Sequence, residues 1–289
     1  MSRKGYATMT MTQRFRWNKI ATHVVLLAGA LVMLYPLLWM LSSSFKPQRI
    51  IFADTSLWPS EFTVENYRHG WNAIGVPFSH FFVNSLIISV SSVIGNVLTC
   101  SLAAYAFARL SFKLKGIWFA LMLATIMLPY HVTLVPRYIM FHRLGWINTF
   151  LPLIVPHFLA SDSFFIFLIV QFIRGLPREL DDAAAIDGAN EFETYRRIIM
   201  PLAAPALITT AIFTFIWTWD NFFGHLLYLS RVTLFTVPLG LRSFLDSSDK
   251  SSYGALFAMS ILSLVPVLVI FILAQRQLVE GVSMTGLKG

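Results

Sequence analysis

Apolar residues come in long runs along this chain, at residues 20–41, 81–107, 117–135, 150–173, 202–219 and 256–274, separated by segments rich in charge, proline, glycine and serine. A bilayer core takes about 20 consecutive apolar residues to cross as a helix, because each unpaired backbone group in hydrocarbon costs several kcal/mol. The pattern therefore predicts an all-α polytopic membrane protein, with a six-span domain over residues 20–274, a basic tail at 1–19 and a second tail at 275–289. The first run is long for a signal peptide and no small-residue cleavage site follows it, so it reads as a retained span.

Composition agrees: hydrophobic types make up 56% and charged residues 12% of 289 residues, and the mean hydropathy is +0.67. Six spans return both termini to one side. With the termini inside, the cytoplasmic pieces hold 14 of the 22 Lys and Arg residues (Arg3, Lys4, Arg14, Arg16, Lys19, Arg109, Lys113, Lys115, Arg174, Arg178, Arg196, Arg197, Arg276, Lys288). The other eight (Lys46, Arg49, Arg68, Arg137, Arg143, Arg231, Arg242, Lys250) fall in outer loops that are longer in total, so both tails are expected in the cytoplasm. The net charge of +8 flanks spans and forms no single patch, which argues against a nucleic-acid partner.

Between the first two runs lies a 39-residue outer segment, residues 42–80, whose Trp58, Tyr67 and Trp71 read as interfacial aromatics. The link RLSFKLKG after the second run reads as a plain basic anchor. Pro129 in the third run and Pro152 and Pro156 in the fourth each remove a backbone donor and predict kinks. Cys100, the single cysteine, lies in an apolar run and reads as a packing residue; no zinc cluster is available. No phosphate-binding glycine loop, zincin histidine pair or G-x-S-x-G occurs, so catalysis within this chain is not expected.

The strongly charged insert at residues 177–200 separates two apolar runs and falls on the cytoplasmic side. Pro177 suits a first helical turn, and Glu179, Asp181 and Asp182 complement the positive end of a helix over ELDDAAAID. Gly188 can end that helix in the left-handed conformation, and Asn190 with Glu193 forms the capping pair of a second helix. Leu180, Ala183, Ala184 and Ile186 give the first helix a small-residue face; Phe192, Tyr195, Ile198 and Ile199 give the second a bulky one. On these grounds alone, the pair could receive another protein surface or lie on lipid headgroups.

The patterns ELDDAAAIDGA and YRRIIMPLAAP resemble the cytoplasmic loop, usually written E-A-A-x-x-x-G, of permease subunits in ATP-binding-cassette importers. The stretches NSLIISVSSVIGNVLTCSLAAYAFARLSF, MLPYHVTLVPRYIMFHRLGWINT and YGALFAMSILSLVPVLVIFILAQRQLVEGVSMTGLKG are similar to the carbohydrate branch, of the maltose-type second-permease kind. The resemblance implies the type I importer permease fold, with a coupling helix between spans four and five that docks in a cleft of an ATPase. By position, Asp182 stands for the motif Glu, Ala183 and Ala184 for its alanines and Gly188 for its glycine, with Glu179, Asp187 and Ala189 beside them. Asp182 is one methylene shorter than Glu, and Tyr195 replaces a more usual Phe. Further implications are a second permease subunit, two ATPase subunits that bind ATP and magnesium, an extracytoplasmic solute-binding protein, a sugar or glycoside cargo, and the bacterial inner membrane. No cofactor or metal is expected in this chain.

Two places are candidates for contact with cargo. Asp162, in PHFLASDSFFIF, is an ionisable group inside an apolar run, where insertion costs roughly 2.5 to 3.5 kcal/mol. It could accept hydrogen bonds from sugar hydroxyls, cap a broken helix, or pair with a neighbouring subunit. Trp217, Trp219, Asp220 and Asn221, at the outer end of the fifth run, combine aromatic faces with hydrogen-bonding groups and read equally as an aromatic belt. The alternative from another class is an autonomous ion-coupled transporter or channel, with Asp162 as its ion site and the insert as a surface anchor; a membrane sensor or scaffold is a third.

Overall fold

The computed structural model describes residues 11–246 and 253–286, with side chains for 19–245 and 253–275. Arg3, Lys4, Lys250 and Lys288, four of the charges used for the topology, and the outer parts of both tails lie outside the described residues. Helices alone form the regular structure among the described residues. In chain order they are α1 (Met11–Ser44), α2 (Glu65–Asn72), α3 (Phe78–Ala108), α4 (Lys115–Ile126), α5 (Tyr130–Arg143), α6 (Leu151–Ile154), α7 (Ser163–Arg174), α8 (Glu179–Ile186), α9 (Glu191–Thr194), α10 (Met200–Leu202), α11 (Ala204–Trp219), α12 (Phe222–Tyr228), α13 (Val237–Asp246) and α14 (Tyr253–Gly286).

Four stretches among the described residues are long and apolar enough to cross a membrane: Lys19–Ser44, Phe78–Ala108, Leu151–Arg174 and Tyr253–Gln275. The count reaches six if each of two bent pairs is one span. The expected third span, 117–135, is not one helix. It breaks after Ile126, and α5 leaves α4 at 100°. Pro129, extended at ψ 132° immediately before α5, lacks an N–H and holds the preceding residue out of the helical region. The 12 residues of α4 reach only about 18 Å, short of a bilayer core.

The fourth run is interrupted in its middle. Pro152 and Pro156 sit in the first positions of α6 and of a 3-10 turn, Val155–Leu159, and Ala160 adopts φ 50° before α7 begins. The fifth run is entered at a bend of 76° between Glu191–Leu202 and Ala204–Trp219, where Pro201 and Pro205 occupy the first turns of α10 and α11.

By contacts the chain forms two units, residues 1–70 with 249–261, and residues 71–248 with 262–289. In the first, the segment that follows α1 folds on itself around Lys46, which is fully buried. Its Nζ donates to the carbonyls of Asp54 and Ser56, both at 2.6 Å, and lies 3.6 Å from Asp54 Oδ2. The Asp54 carboxylate accepts from the backbone and hydroxyl groups of both Ser56 and Ser60. Tyr67 is a packing residue, its ring tilted against Phe45 and its hydroxyl sharing a 2.8 Å hydrogen bond with Ser44, whereas Trp58 stays exposed.

In the second unit α3 is the central helix. Its buried positions Ser89, Ser92, Asn96, Cys100 and Ala104 recur every three or four residues in one stripe facing α6, α7 and α11, while nearer its start Asn84 donates to the Thr233 and Phe235 carbonyls and Ser85 accepts from Val237 N–H. Small and polar residues there allow close approach and interhelical bonds, since apolar surface gives no advantage to helix contact over lipid contact. Asn96 donates to Thr214 Oγ1 of α11 at 2.9 Å. Cys100 is fully buried in this seam, as a packing residue would be.

Candidate functional site

The charged insert forms two helices joined by a sharp turn. Pro177, expected in the first turn, lies two residues before the first residue of α8, with Arg178 at the N-cap and Glu179, Asp181 and Asp182 in the first turn. At the far end Gly188 N–H bonds to the Ala185 carbonyl (3.1 Å) and Ala189 N–H to that of Ala184 (2.9 Å). This paired closure requires the left-handed backbone that Gly188 supplies at φ 80°. Asn190 then caps α9: its side chain accepts from Glu193 N–H at 2.9 Å, and the Glu193 carboxylate accepts from Asn190 N–H at 3.1 Å.

The motif residues do not all face the same way. Asp182, Ala183, Ile186, Asp187 and Gly188 are exposed, with Ile186 at 86%, and Phe192 of the second helix joins them at 61%. Ala184 is buried, so the expected small face of Leu180, Ala183, Ala184 and Ile186 is split. A residue advances about 100° around a helix, and adjacent alanines cannot share one narrow face. The bulky face divides likewise: Tyr195 and Ile199 are buried while Phe192 projects outward.

What the sequence reading missed is the footing of this loop. Arg109, taken as a plain anchor, is 5% exposed and sits with Nε 3.1 Å from Asp181 Oδ2, an ion pair without hydrogen-bond alignment. Its Nη2 donates to the Leu176 carbonyl at 3.0 Å and reaches toward that of Pro177 at 3.4 Å. Burial pushes the Asp181 carboxyl above its usual range, and the nearby Arg109 opposes that shift. Tyr105 donates to Glu191 at 2.8 Å, and Ser101 shares a 2.8 Å hydrogen bond with Tyr195. Ser101, Tyr105 and Arg109 are spaced by four on α3, a polar ridge at the end of an apolar run that the sequence does carry.

The second candidate region is a cavity of about 760 Å³ in the second unit. Asp162, Trp217 and Asn221 of the expected set line it, together with Tyr130, Arg137 and His157. A neighbouring cavity of about 560 Å³ shares Tyr130, Arg137 and Asp162. Asp162 Oδ2 lies 2.7 Å from His157 Nδ1, within the same chain, and its side chain makes no cap on α7 although the residue occupies the N-cap position. The guanidinium of Arg137 lies 5.9 Å over the Tyr130 ring. Trp217 is 52% exposed.

Trp219 and Asp220 are not part of this lining. Trp219 is buried beside Phe82 and Phe215, its indole N–H donating to the Ser263 carbonyl at 3.2 Å. Asp220 is exposed where α11 ends. Asn221 also caps α12 by accepting from Gly224 N–H at 2.9 Å. Among the described residues, no group of three or more His, Cys, Asp or Glu side chains could hold a metal ion.

A family model described as binding-protein-dependent transport system inner membrane component matches residues 95–283. The chain is 34% identical over 278 residues to the probable ABC transporter permease protein YurM of Bacillus subtilis, covering 96% of this chain and 91% of that one. It is 32% identical over 263 residues to the arabinooligosaccharides transport system permease protein AraQ of Halalkalibacterium halodurans (90% and 93% covered). It is 32% identical over 277 residues to the trehalose/maltose transport system permease protein MalG of Thermococcus litoralis (94% and 99%). In fold it is similar to a chain of a bacterial ABC transporter involved in the import of the acidic polysaccharide alginate, at TM-score 0.82 and 18% identity, covering 94% of this chain and 99% of that one.

Proposed function

This chain belongs to the family of binding-protein-dependent transport inner membrane components, the permease subunits of ABC importers, and from that premise we propose how its own residues serve import. It is a transport subunit and not an enzyme. Its cargo is a sugar or glycoside, in keeping with the oligosaccharides and disaccharides named for its relatives. A second permease completes the pathway, a solute-binding protein delivers the cargo outside, and two ATPases hold ATP and magnesium inside. Both termini and the loop at 177–200 are cytoplasmic.

The observation that carries this reading is the outward surface of the loop. Asp182, Ala183, Ile186, Gly188 and Phe192 are exposed together on a backbone whose turn and caps are internally hydrogen-bonded. Exposed apolar side chains on a preformed surface fit a protein cleft, and the cost of ordering the loop is already met in the free subunit. We assign this surface to the ATPases. ATP shifts the pathway only if they bind it more tightly in one state than in the other.

The cavity supplies the matching reading for cargo. Trp217 and Tyr130 offer aromatic faces for the C–H side of a sugar ring, while Asp162, Arg137 and Asn221 offer partners for hydroxyls. Reconstitution into vesicles with the second permease, ATPases and loaded binding protein tests both assignments. Uptake is expected to require ATP on the ATPase side. Uptake that continues without the ATPases and collapses with the ion gradient would reject the importer reading.

A further inference from the structure

The loop and the cavity wall are fastened to the same helix. At its cytoplasmic end α3 grips both arms of the loop: Arg109 holds the start of α8 through Asp181 and the Leu176 carbonyl, and Tyr105 and Ser101 hold Glu191 and Tyr195 beyond the Gly188 turn. Ten residues earlier, about 15 Å along the helix, Thr99 grips the broken segment that carries His157 and Asp162. Its hydroxyl lies 2.9 Å from the His157 carbonyl and from the Gly95 carbonyl of its own helix, sharing one proton between them, and accepts from Ala160 N–H at 3.2 Å. The His157 carbonyl and Ala160 N–H are backbone groups freed by the prolines and by the φ 50° turn at Ala160, and in a membrane they must find partners inside the protein. At Gly95, one turn before Thr99, an added Cβ would lie 2.6 Å from the Phe158 ring, so that ring of the broken segment packs directly on the backbone of α3.

We infer that α3 is the connecting rod of the subunit, and that Arg109, Tyr105 and Thr99 are positioning residues which make the loop, α3 and the His157–Asp162 wall move as one body. The inference rests on the importer reading above, and names which residues convey the motion of the loop to the pathway. Coupling of this kind needs discrete fastenings at both ends, because a loop free to slide along α3 would move without displacing the wall.

The test uses the complete transporter in vesicles, with uptake and ATP hydrolysis measured on the same preparation. Wild-type uptake that ignores ATP would sink the importer reading and is scored first, so the two failures are distinct. Tyr105→Cys combined with Glu191→Cys removes the fastening and leaves the space of the Tyr105 ring open toward the exposed position 191; Cys100→Ala is added so that no third thiol can react. Cargo moved per ATP is expected to fall about fivefold or more. Joining the two thiols with a short bis-methanethiosulfonate, each thiolate forming a disulfide as it displaces one methanesulfinate, is expected to restore it, a rescue that a misfolded protein would not show. No fall before joining, or a further loss after it, would overturn the rod.

Two single variants extend the test. Tyr105→Phe removes one hydroxyl and no packing volume, and is expected to lower the ratio in an assembled complex; a normal ratio counts against the inference. Thr99→Val, at the other end, is expected to do the same while the loop stays docked. If Thr99→Val transports normally, the rod does not reach the wall.

Discussion

At Gly188 the chain needs a backbone conformation, not a side chain. A Cβ there would meet nothing within 4 Å, yet φ 80° is strained for any L side chain, most of all a β-branched one. Gly188→Val is expected to cost about 1–2 kcal/mol of local stability, with ATP hydrolysis retained and uptake falling, measured side by side in vesicles. In the cavity, Trp217→Ala is expected to lower uptake about 3- to 10-fold at saturating binding protein, with assembly unchanged. Asp54 belongs to a different property. The Ser56 hydroxyl first, and then the Ser60 and Ser56 backbone donors and the Ser60 hydroxyl, hold its carboxyl well below the usual aspartate range. Its contribution to stability is full above the unfolded value near pH 4 and is lost as pH falls through the lowered folded value. Hydrogen-exchange protection of residues 45–60, corrected for the intrinsic rate at each pH, should therefore fall below about pH 4, and Asp54→Asn should flatten that slope. At this scale residue identity was legible and orientation was not: the motif puts Ala183 and Ala184 side by side, and only the helix sends one outward and the other inside.

At the scale of elements, local chemistry wrote itself most clearly where all the partners are near in sequence. The capping box of Asn190 and Glu193 and the glycine turn were readable because three or four residues contain the whole interaction. Asn190→Ala should cost α9 about 1 kcal/mol, seen as roughly fivefold faster hydrogen exchange over residues 191–195. The prolines announced breaks, but whether Pro129 gives a kink or a 100° bend depends on what packs against each arm, which is not local information. The grip of Arg109 on Asp181 spans 72 positions and was invisible for the same reason.

For the whole molecule, hydropathy finds the apolar runs and says little about packing. The most apolar window of α1 has none of its residues buried inside the chain, while that of α3 has 39%. Lipid is as apolar as a protein core, so both runs look alike in sequence, and what separates them is the polar stripe of α3. The chain purified alone should elute heterogeneously in detergent, and co-expression with the second permease should give one defined peak. Equal behaviour with and without that partner would show that α1 needs lipid only. The third run, which a count of apolar residues treats as a simple span and which bends by 100°, is where that reading departs most from the structure.

The three footholds on α3 set the boundaries of any transplant. Moving residues 177–200 from one such subunit into another carries the handle and leaves its hinges behind, because Ser101, Tyr105 and Arg109 lie some seventy to ninety positions upstream of their partners. The exchangeable module is discontinuous, and a chimera that respects it must swap residues 101–109 along with the loop.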